Sequence, residues 1–384
     1  MNATLKTLRP VYVIGVGWHR YQPLSDETYV TLGLAAVRGA LNDAGIEWPA
    51  VQAAYFAKAL LPMAPGRPML RHLGASGIEI VHVENASASG SAAFRQACLQ
   101  VASGVSDVVL AVGVDKPAGA PTLRAEAISG IGNLADDAIV PFTHFALLAD
   151  QYVRRHGVAH EDIAQVAVKN HGNGAKNPNA HRQQARTLEE ILAGRPVSGS
   201  FTTLQCCPVG EGAAAVIVAS EDAIRRMGVP SDKPVRVTGS AARSQRVYEN
   251  ATQFDANLTT ETTRIALDEA GLRPEQIDVL ELHDAFTIEE LEYVDAMGLC
   301  NPGQAVPLLK EGAWNIGGRC AVNPSGGLIA MGHPIGPTGI GQIGEITLQL
   351  RGAAGARQHP HAKVGLAHMV GVGAVCYVHT LQRD

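Results

Sequence analysis

The chain has 384 residues, with 31 Lys and Arg against 36 Asp and Glu, a formal charge of −5, and 46% hydrophobic against 17% charged residues. That length suits two or three domains or one large duplicated unit, and that apolar fraction excludes a disordered chain. The slightly acidic balance, with no Lys/Arg stripe, argues against a nucleic-acid partner.

No membrane span is expected. The longest apolar run, Val364–Val378, contains His368 and three glycines, and a span needs about 18 uninterrupted apolar residues. The first residues hold no apolar stretch of signal-peptide length. The six cysteines (Cys98, Cys206, Cys207, Cys300, Cys320, Cys376) form no CxxC pair. Reduced thiols in a soluble cytoplasmic protein are the expected reading.

Short apolar runs alternate with helical spacing, which predicts an α/β class. Val11–Val16 reads as a buried strand, and Glu27–Ala44 as a helix stopped by Gly45. Val105–Val114 and Ala213–Ala219 read as further strands buried on both faces. Between Lys116 and Thr203 the pattern changes, with helical stretches at Phe145–His156, His160–Asn170 and Leu188–Ala193. This segment is expected to be an insertion built on the first half. The sheet pattern resumes at Glu211, and Gly228–Pro234 reads as a linker.

A weak internal repeat organises the rest. Leu41-Asn-Asp-Ala-Gly-Ile46 recurs as Leu267-Asp-Glu-Ala-Gly-Leu272, each before a Pro and an apolar run (Val51–Phe56; Ile277–Leu282). The strand ending at Gly15 has a counterpart ending at Gly239, and Asn85-Ala-Ser87 has one in Asn323-Pro-Ser325. Matches in the same order in both halves imply a duplicated αβ unit. The expected domains are residues 1–115 plus 204–230, an insertion over 116–203, and residues 231–384.

Three side chains have a setting that catalysis uses, and for the two histidines the competing readings are a structural loop residue at His333 and a satisfied core residue at His283. Ser87 precedes the helical pattern Ser91–Val101, where helix N–H groups favour negative charge; a helix-cap role is the competing reading. His333 lies in Gly-His-Pro-Ile-Gly-Pro-Thr-Gly, whose prolines and glycines fix the backbone beneath a titratable imidazole. His283 follows the run Asp278–Leu282, at a strand end where αβ proteins place their sites. Other features read as bland. Gly15-Val-Gly17 lacks the third glycine of a dinucleotide loop, and His359-Pro-His361 has no third ligand nearby, so no metal is expected. Arg182, Arg186 and Arg195 could meet phosphates or form a solvated face.

Four segments together resemble the thiolase superfamily, closest to the sterol-carrier-protein-x type and its bacterial relatives. They are Val83–Gly90, His283-Asp-Ala-Phe286, Asn323–Gly327 running into Gly332–Gly339, and Met369–Gly373. The resemblance spans nearly the whole chain. It implies a thiolase fold: duplicated αβ halves in an αβαβα layering with a loop-domain insertion. It also implies Ser87, His283 and His333 as catalytic residues. His333 would activate the nucleophile and His283 would help hold the thioester oxygen. His144, Phe145, Ser325, Met369 and Gly371 would line the acyl-CoA site. Coenzyme A enters as acyl-CoA substrate, with no covalently bound cofactor.

The sequence departs from that pattern twice. Ser87 stands where the family has its nucleophilic Cys, and Ala285 stands where His-Asp-Cys-Phe carries the acid/base thiol. The C-terminal stretch offers Ala367-His368-Met369 in place of a Cys-x-Gly thiol. The leading expectation is thiolase-type carbon–carbon chemistry, either 3-oxoacyl-CoA thiolysis or Claisen condensation, with a natural or engineered Ser as acyl acceptor. The alternative is retro-aldol cleavage of a 3-hydroxyacyl-CoA through an enolate. A non-catalytic acyl-CoA or lipid-binding subunit is the third reading. A homodimer or tetramer, and a small OB-fold partner subunit, are the assemblies such relatives suggest.

Overall fold

The computed structural model describes residues 4–117, 140–247, 254–371 and 375–383. The first half runs β1 (Val11–Gln22), α1 (Tyr29–Ala44), β2 (Ala53–Ala57), α2 (Gly66–Leu70), β3 (Glu79–Val83), α3 (Ser89–Ala102) and β4 (Val108–Asp115). Next come α4 (Val140–His156), α5 (His160–Gly174), α6 (Leu188–Leu192) and a small hairpin of β5 (Pro196–Ser198) and β6 (Phe201–Thr202). β7 (Glu211–Ser220) and α7 (Glu221–Met227) return to the first half. The second half comprises β8 (Val235–Ser244), α8 (Phe254–Ala270), β9 (Val279–Glu281), α9 (Thr287–Ala296), α10 (Ala305–Lys310) and β10 (Ala321–Val322). It closes with α11 (Gly327–Ala330), α12 (Ile335–Arg351), β11 (Val364–Gly371) and β12 (Val375–Gln382).

The strand order is β10-β9-β11-β12-β8-β1-β7-β4-β2-β3. Read from each edge, both halves have the same internal order. In each, the two outer pairings are parallel and the next two antiparallel. The duplication expected from short sequence echoes is therefore present in the topology. The halves join where Val11–Val13 of β1 pairs with Val235–Val237 of β8, so ten strands form one continuous sheet.

Side-chain alternation along the strands separates the layers. In β4, Val109 and Ala111 face a central core with Phe94 and Ala97 of α3 and Ile340 and Ile343 of α12. Val108, Leu110 and Val112 face the other way, onto Leu32 and Val37 of α1. The second half has its own outer layer, where Leu258 of α8 and Leu291 of α9 pack with Cys376 and Val378 of β12. Helix, sheet, paired helices, sheet, helix: this is the αβαβα layering of a thiolase fold.

Some boundaries move. β1 extends to Gln22 because its polar end still pairs with the alanines of β7, His19 opposite Ala213. β4 begins only at Val108; Val105 is exposed beyond Gly104, whose φ of 84° closes the preceding turn. The segment expected to be built on the first half packs instead on the second. Ile163, Val166 and Ala167 of α5 share one core with Ile288 and Leu291 of α9. Gly15 and Gly17 admit α1 rather than a dinucleotide: a Cβ at Gly15 would lie 2.2 Å from the Ala40 carbonyl oxygen, and one at Gly17 2.3 Å from that of Ala36. Among the described residues no helix is long and apolar enough to cross a membrane.

Candidate active site

The turn between β3 and α3 aims Ser87. Ala86 has a φ of 48°, a left-handed setting that costs a residue with a Cβ about 1–2 kcal/mol. Ser89 holds the turn: the Asn85 N–H donates to its Oγ at 2.8 Å, and that hydroxyl donates to the Ala86 carbonyl at 2.6 Å. Neither serine caps α3, whose N-cap residue is Ala88 with no side-chain hydrogen bond to the helix. Ser87 Oγ is left to meet His333 Nε2 at 2.9 Å.

His333 sits between α11 and α12 on a loop anchored to the first half. The Asp115 carboxylate, at the end of β4, accepts the Gly336 N–H at 2.5 Å and the Leu60 N–H at 2.8 Å. Behind the imidazole, Nδ1 lies 2.8 Å from Thr338 Oγ1, and the Thr338 hydroxyl donates to the Pro334 carbonyl at 2.6 Å. A hydroxyl has one proton, so Nδ1–H must donate to Thr338. That leaves Nε2 bare, an acceptor for Ser87. Heavy atoms surround the ring although it keeps some accessible surface. Burial, then the neighbouring His283, hold its basicity well below the usual histidine range.

His283 has a different partner. Its Nδ1 lies 2.7 Å from Glu289 Oε1, and Glu289 also accepts the Phe286 N–H at 2.9 Å and the Tyr293 hydroxyl at 3.2 Å. Glu289 is entirely buried on α9, whose residues Thr287–Val294 are all buried. The carboxylate fixes the ring through Nδ1, and Nε2 is buried without a partner. The two imidazoles meet edge to face, ring centres 5.5 Å apart. The cleft between them has a bare nitrogen on one side and a carboxylate-backed nitrogen on the other.

The other expected residues fall in three places. Met369 is buried with Ala88, Ala92 and Tyr377, and a Cβ at Gly371 would lie 2.5 Å from the Asn85 carbonyl oxygen. The β11 strand end is thus packed on the Ser87 turn; Val372 and Gly373 of that motif lie outside the described residues. His144 and Phe145 lie on α4, where Phe145 stacks on Phe286 with ring centres 4.7 Å apart. They flank the His283 loop on the side of Phe142 and Phe201. Ser325 is not part of the Ser87–His283–His333 cluster. Its Oγ donates to Glu281 at 2.7 Å, beside an enclosed cavity of about 20 Å³ lined by Tyr21, Asn177, Thr338 and Gln342, room for about one water. Burial and the nearby Glu345 push the Glu281 carboxyl up to about 8.

Arg182 is not free for a phosphate, since it donates to the carbonyls of Thr203, Cys206 and Ile329. Arg186 pairs with Glu190. Sequence reasoning missed Glu289, Thr338 and Asp115. Thr338 lies inside the His333 motif and was within reach. Glu289 and Asp115 have no signal of their own, because a carboxylate on a fully buried element looks in sequence like one on a surface.

Comparison with known proteins gives matches along nearly the whole chain. The family described as Thiolase, N-terminal domain, matches residues 19–192, and Thiolase C-terminal domain-like matches residues 239–381. The benzoylsuccinyl-CoA thiolase subunit BbsB of Thauera aromatica is 34% identical, over 96% of each chain. Human sterol carrier protein 2 is 35% identical over 97% of this chain and 72% of its own length. The acetyl-CoA acetyltransferase of Methanothermobacter thermautotrophicus is 34% identical over 98% of this chain and all of its own. Among solved structures, the Ltp2-ChsH2(DUF35) aldolase superposes with a TM-score of 0.85 at 24% identity, covering 98% of each chain. Human mitochondrial 3-ketoacyl-CoA thiolase gives 0.74 at 20% identity over both full lengths.

Proposed function

The chain belongs to the thiolase family, enzymes of carbon–carbon bond chemistry, and on that premise we propose that it cleaves a 3-hydroxyacyl-CoA by a retro-aldol step through the thioester enolate. One observation carries this reading: there is no thiol at position 87 or 285, while a bare imidazole faces a carboxylate-backed one across the cleft. A serine acyl carrier needs its base to become an imidazolium. His333 has only the Thr338 hydroxyl behind it and a second imidazole in front, so that cation is poorly supported at rest. An enolate changes the balance, because its negative charge would lie between the two rings.

In this reading the substrate's 3-hydroxyl replaces Ser87 on His333 Nε2 and gives up its proton there. The C2–C3 bond breaks, releasing an aldehyde or ketone, and the electron pair moves onto the thioester oxygen. His283 Nε2–H, held by Glu289, donates to that oxygen; such a donor contributes about 3–4 kcal/mol in a water-poor site. The similarity in fold to a two-component aldolase supports this reading, and with it a small OB-fold subunit as partner. The Ser87–His333 hydrogen bond of 2.9 Å favours a second reading, acyl transfer through Ser87.

The test is product analysis. The chain, alone and with any small OB-fold subunit encoded beside it, is incubated with 3-hydroxyacyl-CoA and no free coenzyme A. A shortened acyl-CoA and one equivalent of trapped carbonyl product are expected. No cleavage of that substrate, together with thiolysis of a 3-oxoacyl-CoA by added coenzyme A, would overturn the proposal in favour of acyl transfer.

A further inference from the structure

The enolate left by carbon–carbon cleavage needs a proton at C2, and the reading above assigns no group to deliver it. His283 donates to the oxygen, and His333 holds the proton taken from the hydroxyl. We propose that Cys207 is the acid that protonates C2, its thiol set across from the alanine of the His283 loop. The inference rests on the enolate reading above and adds a catalytic residue to it.

Backbone pairing places the thiol. Cys206 and Phe286 form an antiparallel bridge, and the Cys207 N–H donates to the Ala285 carbonyl at 2.8 Å. Cys207 therefore lies directly opposite Ala285, and cross-strand partners project to the same side with Cβ atoms about 5 Å apart. Their neighbours are committed elsewhere. Cys206 is buried with its Sγ on the Thr202 carbonyl, and Phe286 stands among Phe142, Phe145 and Phe201. Asp284 accepts from Asn170 and from the Leu328 N–H. That leaves the Ala285–Cys207 side next to His283, whose buried Nε2 has no partner.

The chemistry of the thiol suits an acid. Neighbouring atoms enclose Cys207, yet part of its surface stays accessible. Burial foremost, then Cys206 and Glu289, push it up to about 12, so at neutral pH it is the protonated SH form. Arg182 acts in the opposite sense and would steady a transient thiolate. No other described cysteine competes: Cys98 is in the central core, Cys320 and Cys376 are buried in the second half, and Cys300 donates to Asp295. The proton count closes. The Cys207 S–H bond breaks as the C2–H bond forms, giving the short acyl-CoA and a thiolate. The proton that His333 took from the 3-hydroxyl then returns to the thiolate, so both residues regain their starting states.

The experiment is hydrogen–deuterium exchange at C2 of acetyl-CoA in D2O, read by mass spectrometry. This is the reverse of the protonation step. Wild-type protein, Cys207→Ala, and the double variant Cys207→Ala with Ala285→Cys are compared, with acetyl-CoA affinity measured for each. Exchange by wild type, a loss of at least about a hundredfold in Cys207→Ala at unchanged affinity, and recovery in the double variant are expected. Exchange at the wild-type rate in Cys207→Ala would overturn the inference and leave the enolate reading standing. Loss matched by an equal loss of affinity would also overturn it, as would a double variant that stays inactive. No exchange by wild type would overturn both.

Discussion

His283 and His333 sit ring to ring, yet a carboxylate backs one and a hydroxyl the other, and the proposed chemistry rests on that difference. The Ser87, His283 and His333 motifs were legible in sequence, and folding brings all three into one cleft. Ser325, expected to line the acyl-CoA site, donates its hydroxyl to Glu281 instead of facing the two imidazoles. Residues that act through another residue escaped notice: Glu289, six positions after His283, is visible only once α9 is known to be buried on all sides.

Buried neutral histidines also make the protein sensitive to acid. Burial pushes His171 down to about 4 and His379 to about 3, and His333 and His368 are likewise lowered. These values lie below the unfolded value of about 6.5. Their contribution is therefore complete above pH ~6.5 and is lost as pH falls towards 4 and 3, by about 1.4 kcal/mol per pH unit for each histidine. Asp115, Glu281 and Asp284, pushed up by burial, act in the opposite direction, but the histidines outnumber them. The urea midpoint should fall steadily from pH 6.5 to 4.5. A flat midpoint over that range would contradict the assignment.

At the scale of elements, the site depends on how closely α3 and α12 approach. α3 begins just after Ser87 and α12 just after His333, and they meet through glycines. A Cβ at Gly339 would lie 2.3 Å from Ser91 Oγ and 2.6 Å from the Ser91 backbone nitrogen. One at Gly90 would lie 2.8 Å from the Gly336 carbonyl oxygen. Gly339→Ala should therefore separate the two helix starts, lower stability by about 1–3 kcal/mol, and weaken the Ser87–His333 contact. Thermal unfolding together with turnover tests this; unchanged values for both would mean that the helices have slack. The end of α1 was legible, since Gly45 adopts a φ of 67° as a left-handed cap, whereas Gly228, with a φ of 66°, read as the start of a linker and instead caps α7. The crossing glycines read only as a Gly-rich motif, because nothing local in sequence marks which backbone will approach them.

For the whole molecule, paired order in sequence foretold paired order in space: two halves with the same strand sequence joined through β1 and β8. The support of the intervening segment on the second half was not legible. The apolar face of α5 has the spacing of any amphipathic helix and names no partner; in the fold that partner is the apolar side of α9, which α5 covers. The Cys206–Cys207 segment, just past that insertion, runs alongside the His283 loop. Together these parts fit the proposed chemistry, an enolate held between two imidazoles with no acyl group on Ser87. Its most direct test is the rate at which Ser87→Ala and His283→Ala cleave a 3-hydroxyacyl-CoA. The account predicts that Ser87→Ala stays within about tenfold of wild type, while His283→Ala loses about a hundredfold to a thousandfold. Abolished cleavage in Ser87→Ala, with His283→Ala less affected, would contradict it.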